Sequence, residues 1–274
     1  MSIKVGFQGA HGTFSDLAVD KYFADREIEK VTYTNFQSLV SDVSDGVVDY
    51  AVLPVENTTT GIISRTYDLF KDHNVFACGE VTLRITHNLV VVPGTKLEDI
   101  KEVYSHPEAL SQCQEFFFEH KNIKQIPYQD TAKSVEFIKE SNDRSKAALG
   151  SSTSAKHYGC EVLLEEVEDS KTNVTRFLCV TNHEEVYEGA NKVSTYCVAK
   201  HIPGSLVRLL SVLAFRGINL GRIESRPIQG KNFEYCFYID FDGNINDQLV
   251  KDAIEDAKTN CEEFKVLGCY PKAI

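Results

Sequence analysis

One pattern recurs along the N-terminal half of this chain and limits its fold more than any other: an apolar strand-like run gives way to a helix-like run through hydroxyl, amide or acidic residues. It occurs at residues 12–15, 56–60, 105–107, 130–131 and 151–154. Alternating strands and helices predict an α/β fold. Ligands bind at the carboxyl edge of such sheets, where turns of this kind converge. We therefore expect a two-lobed α/β body with a cleft.

The chemistry of these turns indicates the kind of ligand. Several helix N-termini directed at one crevice favour a small anion, such as a polycarboxylate or a phosphate. Thr13 and Ser15 follow a glycine-punctuated turn and suit either helix capping or an anion. The glycines at 6, 9 and 12 lack the G-x-G-x-x-G spacing, so a dinucleotide site is weakly supported. We expect Asp130 and His106 to have structural roles before their helices, and we expect the helix after His106 to cover residues 109–117.

The second turn is unusually polar. The strand predicted at residues 47–53 runs into residues 54–61, which hold Glu56, Asn57 and three threonines, Thr58 among them. A helix needs only one capping side chain, so this excess of polar residues favours a binding or catalytic site.

The segment 172–177 combines an amide, hydroxyls and a guanidinium just before an apolar strand. Arg176 suits a carboxylate or phosphate, because its planar fork can bind two oxygens at once. Taken alone, the segment fits better an arginine that caps a helix or pairs at the surface. The αβ alternation before it shifts the balance towards a binding role.

Charge and cysteine usage exclude several classes of protein. The net charge of -11, with no basic stretch, argues against nucleic-acid binding. The eight cysteines are scattered without a C-x-x-C pair, so we expect free thiols and no metal site. No secretory signal or membrane-length apolar run is present, which predicts a cytoplasmic protein.

The composition changes after residue 180. A polar stretch at 181–191 is interpreted as a linker between domains at 1–183 and 192–274. The second domain has a strand–helix–strand–strand–helix–strand order, which predicts a ferredoxin-like βαββαβ fold. A domain of this size would gain stability by pairing with a second copy.

Nearly the whole chain resembles a known family. In family order, residues 12–15, 54–57, 105–107, 130–132 and 173–177 are similar to those of prephenate dehydratases, and residues 203–206 and 224–227 resemble an ACT regulatory domain. Thr58, Glu108 and Ser205 stand where the family usually has Ser, Gln and Ala. The Glu108 change puts the role of that position in doubt.

The resemblance implies a periplasmic-binding-protein-like catalytic domain that converts prephenate to phenylpyruvate, water and carbon dioxide without a cofactor. It implies Thr175 as the hydrogen-bond donor to the departing hydroxyl, with Glu56 as the competing acid and Asn57 as a further catalytic residue. It implies that Arg176 binds a substrate carboxylate. The remaining implied substrate-binding residues are Phe177, Thr58, Thr13, Ser15, Gln112 and Asn173.

The resemblance also implies feedback regulation by L-phenylalanine at an interface between two ACT domains, in a homodimer or a dimer of dimers. The implied effector-binding residues are Gly204, Ser205, Leu206, Asn219, Leu220, Glu224 and Ser225. Two alternatives stay open from the sequence: an arogenate dehydratase, and a non-catalytic amino-acid sensor.

Overall fold

The computed structural model describes residues 2–228, 230–231 and 233–273. The strands are β1 Ile3–Gln8, β2 Ile28–Tyr33, β3 Tyr50–Asn57, β4 Gly61–Ile62, β5 Phe76–Arg84, β6 Asn88–Val91, β7 Glu102–Ser105, β8 Lys124–Pro127, β9 Lys146–Gly150, β10 Glu161–Leu164, β11 Val174–Thr181, β12 Lys192–Ala199, β13 Leu220–Pro227, β14 Tyr235–Asp242 and β15 Cys261–Tyr270. The helices are α1 Phe14–Tyr22, α2 Phe36–Ser44, α3 Ser64–Asp72, α4 Pro107–Ser111, α5 Gln114–Glu119, α6 Thr131–Ser141, α7 Ser152–Tyr158, α8 Ser205–Ala214 and α9 Gln248–Thr259.

The first two sheets belong to the α/β part of the chain. One has the order β2-β1-β3-β11-β5, with β4 paired to β3, and the other has the order β10-β6-β9-β7-β8. Pairing is parallel between β1 and β2 and between β7 and both of its neighbours, whereas β6 is antiparallel to β9 and β10. Helices follow the strands as the alternating pattern predicted, so the α/β prediction is confirmed.

The third sheet is antiparallel and has the order β13-β14-β12-β15. Counted along the chain from β12, these are the second, third, first and fourth strands of the segment, with α8 and α9 as the two connecting helices. That order is the ferredoxin-like βαββαβ arrangement expected from the sequence. The core between sheet and helices is apolar and contains Val193, Leu209, Ile239, Ala253 and Cys269.

The described residues form two compact units. One comprises residues 2–39, 52–63 and 82–177, and the other comprises residues 40–51 and 64–81 with the described residues from 178 onward. The predicted domain boundaries at 1–183 and 192–274 stay a prediction. No helix of the described chain is long and apolar enough to cross a membrane.

In the second unit, β15 lies very close to β5. A Cβ atom added to Gly268 would lie 2.1 Å from the carbonyl oxygen of Ala77, far inside contact distance. Nearby, the Nζ atom of Lys192 lies 2.8 Å from an Oε2 atom of Glu80, and both side chains are buried. A small residue and a buried ion pair therefore fix this backbone contact.

Two boundaries differ from the prediction in ways that matter for the site. The strand expected at 47–53 begins at Tyr50 and continues through Pro54 to Asn57, so Glu56 and Asn57 are successive strand residues. The helix expected over 109–117 is two helices, α4 and α5, and Gln112 is the C-cap residue of α4. The break leaves the Gln112 side chain outside a regular helix.

Candidate active site

A cavity of about 820 Å³ lies in the first unit. Four of the five polar turns contribute to its lining, with Thr13, Asn57, His106 and Asp130 as representatives. The prediction that these turns converge is therefore confirmed for those four. The fifth turn lies directly behind the first, because the Oγ hydroxyl of Ser151 donates to the Gly12 carbonyl at 2.7 Å.

Gly12 makes this close approach feasible. Its φ angle is +88°, and a Cβ atom there would lie 2.8 Å from the Cα atom of Ser154. A residue with a side chain would be strained in this conformation and would also clash with the start of α7. The glycine thus holds the turn of residues 9–12 against α7 and directs it to the cavity.

The helix starts at the cavity are capped by their own side chains. Thr13 accepts from the Asp16 N–H at 3.5 Å, Asp130 from the Lys133 N–H at 2.6 Å, and the Nδ1 atom of His106 from the Glu108 N–H at 3.2 Å. The structural roles expected for Asp130 and His106 are confirmed. Thr13 also donates its hydroxyl to the Ala10 carbonyl at 2.9 Å, so its hydroxyl is already used.

A hydrogen-bonded row of side-chain amides, here named the amide chain, consists of Asn57, Asn173 and Gln112. Its direction is fixed at Asn57, where Oδ1 accepts from the backbone N–H groups of Thr59 and Thr60 at 2.9 and 3.0 Å. Backbone N–H groups can only donate, so this atom must be the carbonyl oxygen. The Nδ2 group of Asn57 therefore faces the other way, as a donor.

The Nδ2 group of Asn57 donates twice. It lies 2.7 Å from Oδ1 of Asn173 and 2.8 Å from Oγ1 of Thr175. Asn173 then donates from Nδ2 to Oε1 of Gln112 at 2.8 Å. The three amides are buried, and each donor meets an acceptor, as buried polar groups require.

Thr175 lines the cavity and is only 7% exposed. Its oxygen accepts from Asn57, so that bond leaves the hydroxyl proton free to be donated. Thr175 is thus placed beside the cavity, and its catalytic role stays a prediction.

Arg176 and Glu56 do not line the cavity within the described part of the chain. Successive strand residues point to opposite faces, and Thr175 and Asn57 occupy the cavity face. The Nε and Nη2 atoms of Arg176 instead bind Oε2 of Glu56 at 3.1 and 2.8 Å. The expected contact of Arg176 with a substrate carboxylate and the expected acid role of Glu56 therefore stay predictions.

The other predicted residues divide between lining and support. Phe177, Ser15 and Gln112 line the cavity together with Thr13, Asn57 and Thr175. Asn173 supports them through the amide chain. Thr58 does not line the cavity: its hydroxyl donates to the Thr172 carbonyl at 2.9 Å and accepts from the Val174 N–H at 2.9 Å, which connects the end of β3 to the start of β11.

Sequence reasoning missed several titratable lining residues, namely His11, His87, Lys133, Glu136 and His157. The ammonium of Lys133 lies 2.6 Å from Oε2 of Glu136, and this hydrogen bond raises the pKa of Lys133. None of these residues belongs to a recognisable motif, so only their position on α6, α7 or a connecting segment could have indicated a role.

A second hollow of about 480 Å³, here named the α8 hollow, lies in the second unit at the start of α8. Gly204, Ser205 and Leu206, three of the residues predicted to bind the effector, line it. Four others predicted for the same role do not line it within the described residues: Asn219, Leu220, Glu224 and Ser225. Asn219, for example, donates from Nδ2 to Oδ2 of Asp242 at 3.1 Å.

Comparison with known proteins identifies relatives across nearly the whole chain. A family model described as prephenate dehydratase matches residues 5–185. A bifunctional chorismate mutase/prephenate dehydratase from Stutzerimonas stutzeri is 35% identical over 99% of this chain and 74% of its own length. An arogenate dehydratase/prephenate dehydratase 2 from Arabidopsis thaliana, described as chloroplastic, is 34% identical over 98% of this chain and 73% of its own.

Solved structures agree with these matches. A prephenate dehydratase from Arthrobacter aurescens, in complex with L-Phe, superposes with a TM-score of 0.88 at 31% identity, covering 98% of this chain and 90% of that one. GqqA, described as a novel type of quorum quenching acylases, gives 0.89 at 27% identity and covers 98% of both chains. The predicted α/β fold class is confirmed over 98% of this chain.

Proposed function

Because this chain belongs to the prephenate dehydratase family, we propose that its cavity binds prephenate and expels the ring hydroxyl through a hydrogen bond from Thr175. The chain is a dehydratase of the carbon–oxygen lyase class. One observation carries the assignment of the residue: Thr175 lines the cavity, and its oxygen accepts from Asn57, which leaves its proton available.

The reaction makes modest demands on the protein. Prephenate carries two carboxylates and a ring hydroxyl, and loss of water and carbon dioxide leaves an aromatic ring. Aromatisation supplies the driving force, so the residues must orient the ring and stabilise the charge that develops on the leaving oxygen. Positioning and preorganised hydrogen bonds account for large rate gains in such reactions.

A threonine hydroxyl is a poor acid, so Thr175 acts through a hydrogen bond that strengthens as the carbon–oxygen bond breaks. Asn57 is a catalytic partner in this proposal, because its Nδ2 group occupies a lone pair of the Thr175 oxygen. That contact prevents the hydroxyl from donating back into the amide chain and directs the proton to the substrate.

We assign substrate orientation to the remaining cavity groups. Ser15 lines the cavity, and its hydroxyl has no partner within the described residues, so it is available to a carboxylate. Gln112 offers an amide, and Phe177 supplies an apolar surface for the ring. Thr13 and Asn173 shape the site through their internal hydrogen bonds.

We further propose that L-phenylalanine binds at the α8 hollow and inhibits the enzyme. The hollow combines polar backbone at Gly204 and Ser205 with the apolar side chains of Leu206 and Phe237, which suits an apolar amino acid. Asn219, Leu220, Glu224 and Ser225 are assigned to the same site across a pair of chains, as a homodimer or a dimer of dimers. L-phenylalanine shifts the equilibrium between two domain arrangements that bind it with different affinities.

The test is steady-state turnover of purified protein with prephenate and with arogenate, each with and without L-phenylalanine, alongside light scattering. We expect phenylpyruvate from prephenate, slower turnover with the effector and a scattering mass of at least two chains. Faster turnover of arogenate than of prephenate would identify arogenate as the substrate. Binding of either compound without turnover would overturn the proposal in favour of a sensor.

A further inference from the structure

His87 lies between β5 and β6 and takes no part in the reaction as described so far. It lines the cavity, its side chain is only 2% exposed, and the edge of its ring meets Phe14 with ring centroids 5.7 Å apart. Its backbone N–H donates to Oε2 of Glu168 at 2.9 Å. Backbone and ring are therefore both fixed, so the orientation of the imidazole is well defined.

The amide chain determines which ring nitrogen carries the proton. Oε1 of Gln112 accepts from Nδ2 of Asn173, and the Nε2 atom of His87 lies 2.9 Å from the same oxygen. A carbonyl oxygen cannot donate, so Nε2 must carry the proton. Nδ1 then holds a lone pair, and it is buried without a hydrogen-bond partner among the described residues.

The charge state of His87 follows from its surroundings. Burial lowers the pKa of His87 and outweighs the Gln112 bond and the carboxylates of Glu168 and Glu108, which act in the opposite direction. Arg84 and Lys171 face Glu168 at 3.6 and 4.0 Å and reduce its influence. A proton on Nδ1 would also lack an acceptor, so the neutral ring is favoured.

Gln112 is the residue that this arrangement controls. Two donors occupy its Oε1 atom, so its Nε2 group must point the other way. The Nε2 nitrogen lies 3.4 Å from Oε1 of Glu108, to which it donates. Gln112 lines the cavity beside that contact. The cavity therefore meets an N–H donor from Gln112 and not a carbonyl.

We propose that His87 is a positioning residue: as a neutral Nε2–H imidazole it ends the amide chain and holds Gln112 so that its amide N–H binds an oxygen acceptor of the substrate, a carboxylate or carbonyl. The substrate in this inference rests on the proposed function, whereas the state of the ring rests on the hydrogen-bond geometry and burial of His87. The Gln112 N–H selects a hydrogen-bond acceptor on the substrate. An ammonium group at this position would be disfavoured, because it would face another donor.

Two variants separate positioning from packing. His87→Gln keeps an N–H donor but loses the ring, whereas His87→Phe keeps the ring against Phe14 but loses the donor. We expect His87→Gln to leave KM for prephenate within about threefold of the wild type, and His87→Phe to raise it about tenfold, the effect of one net hydrogen bond. The proposal would be overturned if His87→Gln raised KM more than His87→Phe, or if both variants kept the wild-type KM.

A second measurement does not require turnover. In ¹⁵N-histidine-labelled protein, the His87 signals, identified by their loss in His87→Gln, should show an Nε2–H ring that stays neutral well below pH 6.5. An Nδ1–H pattern, or titration near the usual pKa of about 6.5, would contradict the proposal. A wild type that does not turn over prephenate would overturn the proposed function, and these spectra would still decide the state of His87.

Discussion

The cavity in the first unit and the α8 hollow in the second unit differ in how completely one chain builds them. Around the cavity, Asn57, Asn173 and Gln112 are buried, and their direction is set by backbone N–H groups. Around the α8 hollow, Ile202, Val207 and Phe233 are 56%, 67% and 86% exposed. A single chain thus orients the first site in advance, whereas the second offers apolar surface that a further partner would cover.

The largest effect is expected at Thr175, which the proposed function places beside the leaving oxygen. Thr175→Ala removes the donor to the leaving oxygen, and we expect kcat to fall by about 10²- to 10³-fold with KM nearly unchanged, as for loss of one transition-state donor. Steady-state kinetics with prephenate measures both constants. Thr175→Ser keeps the hydroxyl and is the matched control. An alanine variant with near-native kcat would remove Thr175 from the proposed role.

A second variant keeps the threonine and reverses its partner. Asn57→Asp retains an acceptor for the Thr59 and Thr60 N–H groups but replaces the donor that faces Thr175. The hydroxyl would then donate to the carboxylate and not to the substrate, so we expect kcat to fall about 10- to 100-fold. Unfolding in urea distinguishes this loss from misfolding. Unchanged kcat would show that the direction of the amide chain does not matter.

The α8 hollow is tested with two glycines that both have a positive φ angle. Gly204 precedes α8 with φ +80°, Gly217 follows it with φ +67°, and an added Cβ meets nothing within 4 Å at either position. Replacing either with Ala should cost about 1 kcal/mol of stability from backbone strain. Only Gly204→Ala should raise the L-phenylalanine concentration needed for half-inhibition, by about five- to tenfold.

Gly217→Ala is therefore the control for strain, since Gly217 is not among the described residues that line the hollow. Equal shifts in the two variants would indicate a general effect on the fold. Inhibition unchanged in Gly204→Ala would place the effector elsewhere.

The smallest effect is expected for the residue next to Thr175. Arg176→Lys loses one of two hydrogen bonds to Glu56, whose side chain is 39% exposed, so we expect about 1 kcal/mol or less in unfolding free energy. KM for prephenate should stay within about twofold, because the guanidinium pairs with Glu56 and Arg176 is not among the described residues that line the cavity. A large rise in KM in the same assay would return Arg176 to the substrate site.

Much of the architecture could be predicted because it rests on local signals. The strand-to-helix turns carry capping residues, such as Asp130, that fix where each helix begins. The βαββαβ order follows from alternating strands and amphipathic helices. Convergence of the turns then follows from the geometry of α/β sheets.

The faces of the strands could not be predicted as well. When the strand is predicted to end at residue 53, Glu56 and Asn57 both fall in the loop that follows, and both side chains are assigned to one site. The observed strand extends to Asn57, so alternation sends the two side chains to opposite faces. The same alternation separates Arg176 from Thr175. His87 gave no sequence signal, because a lone histidine in an extended apolar run has no motif or period.

The close contact at Gly268 has a consequence for how this gene can be altered. A library of variants should tolerate no other amino acid there, since even a methyl group would meet the Ala77 carbonyl. Replacing the C-terminal segment with that of a relative should succeed only if the relative also has glycine at the position of Gly268. The C-terminal segment is therefore not a freely interchangeable module.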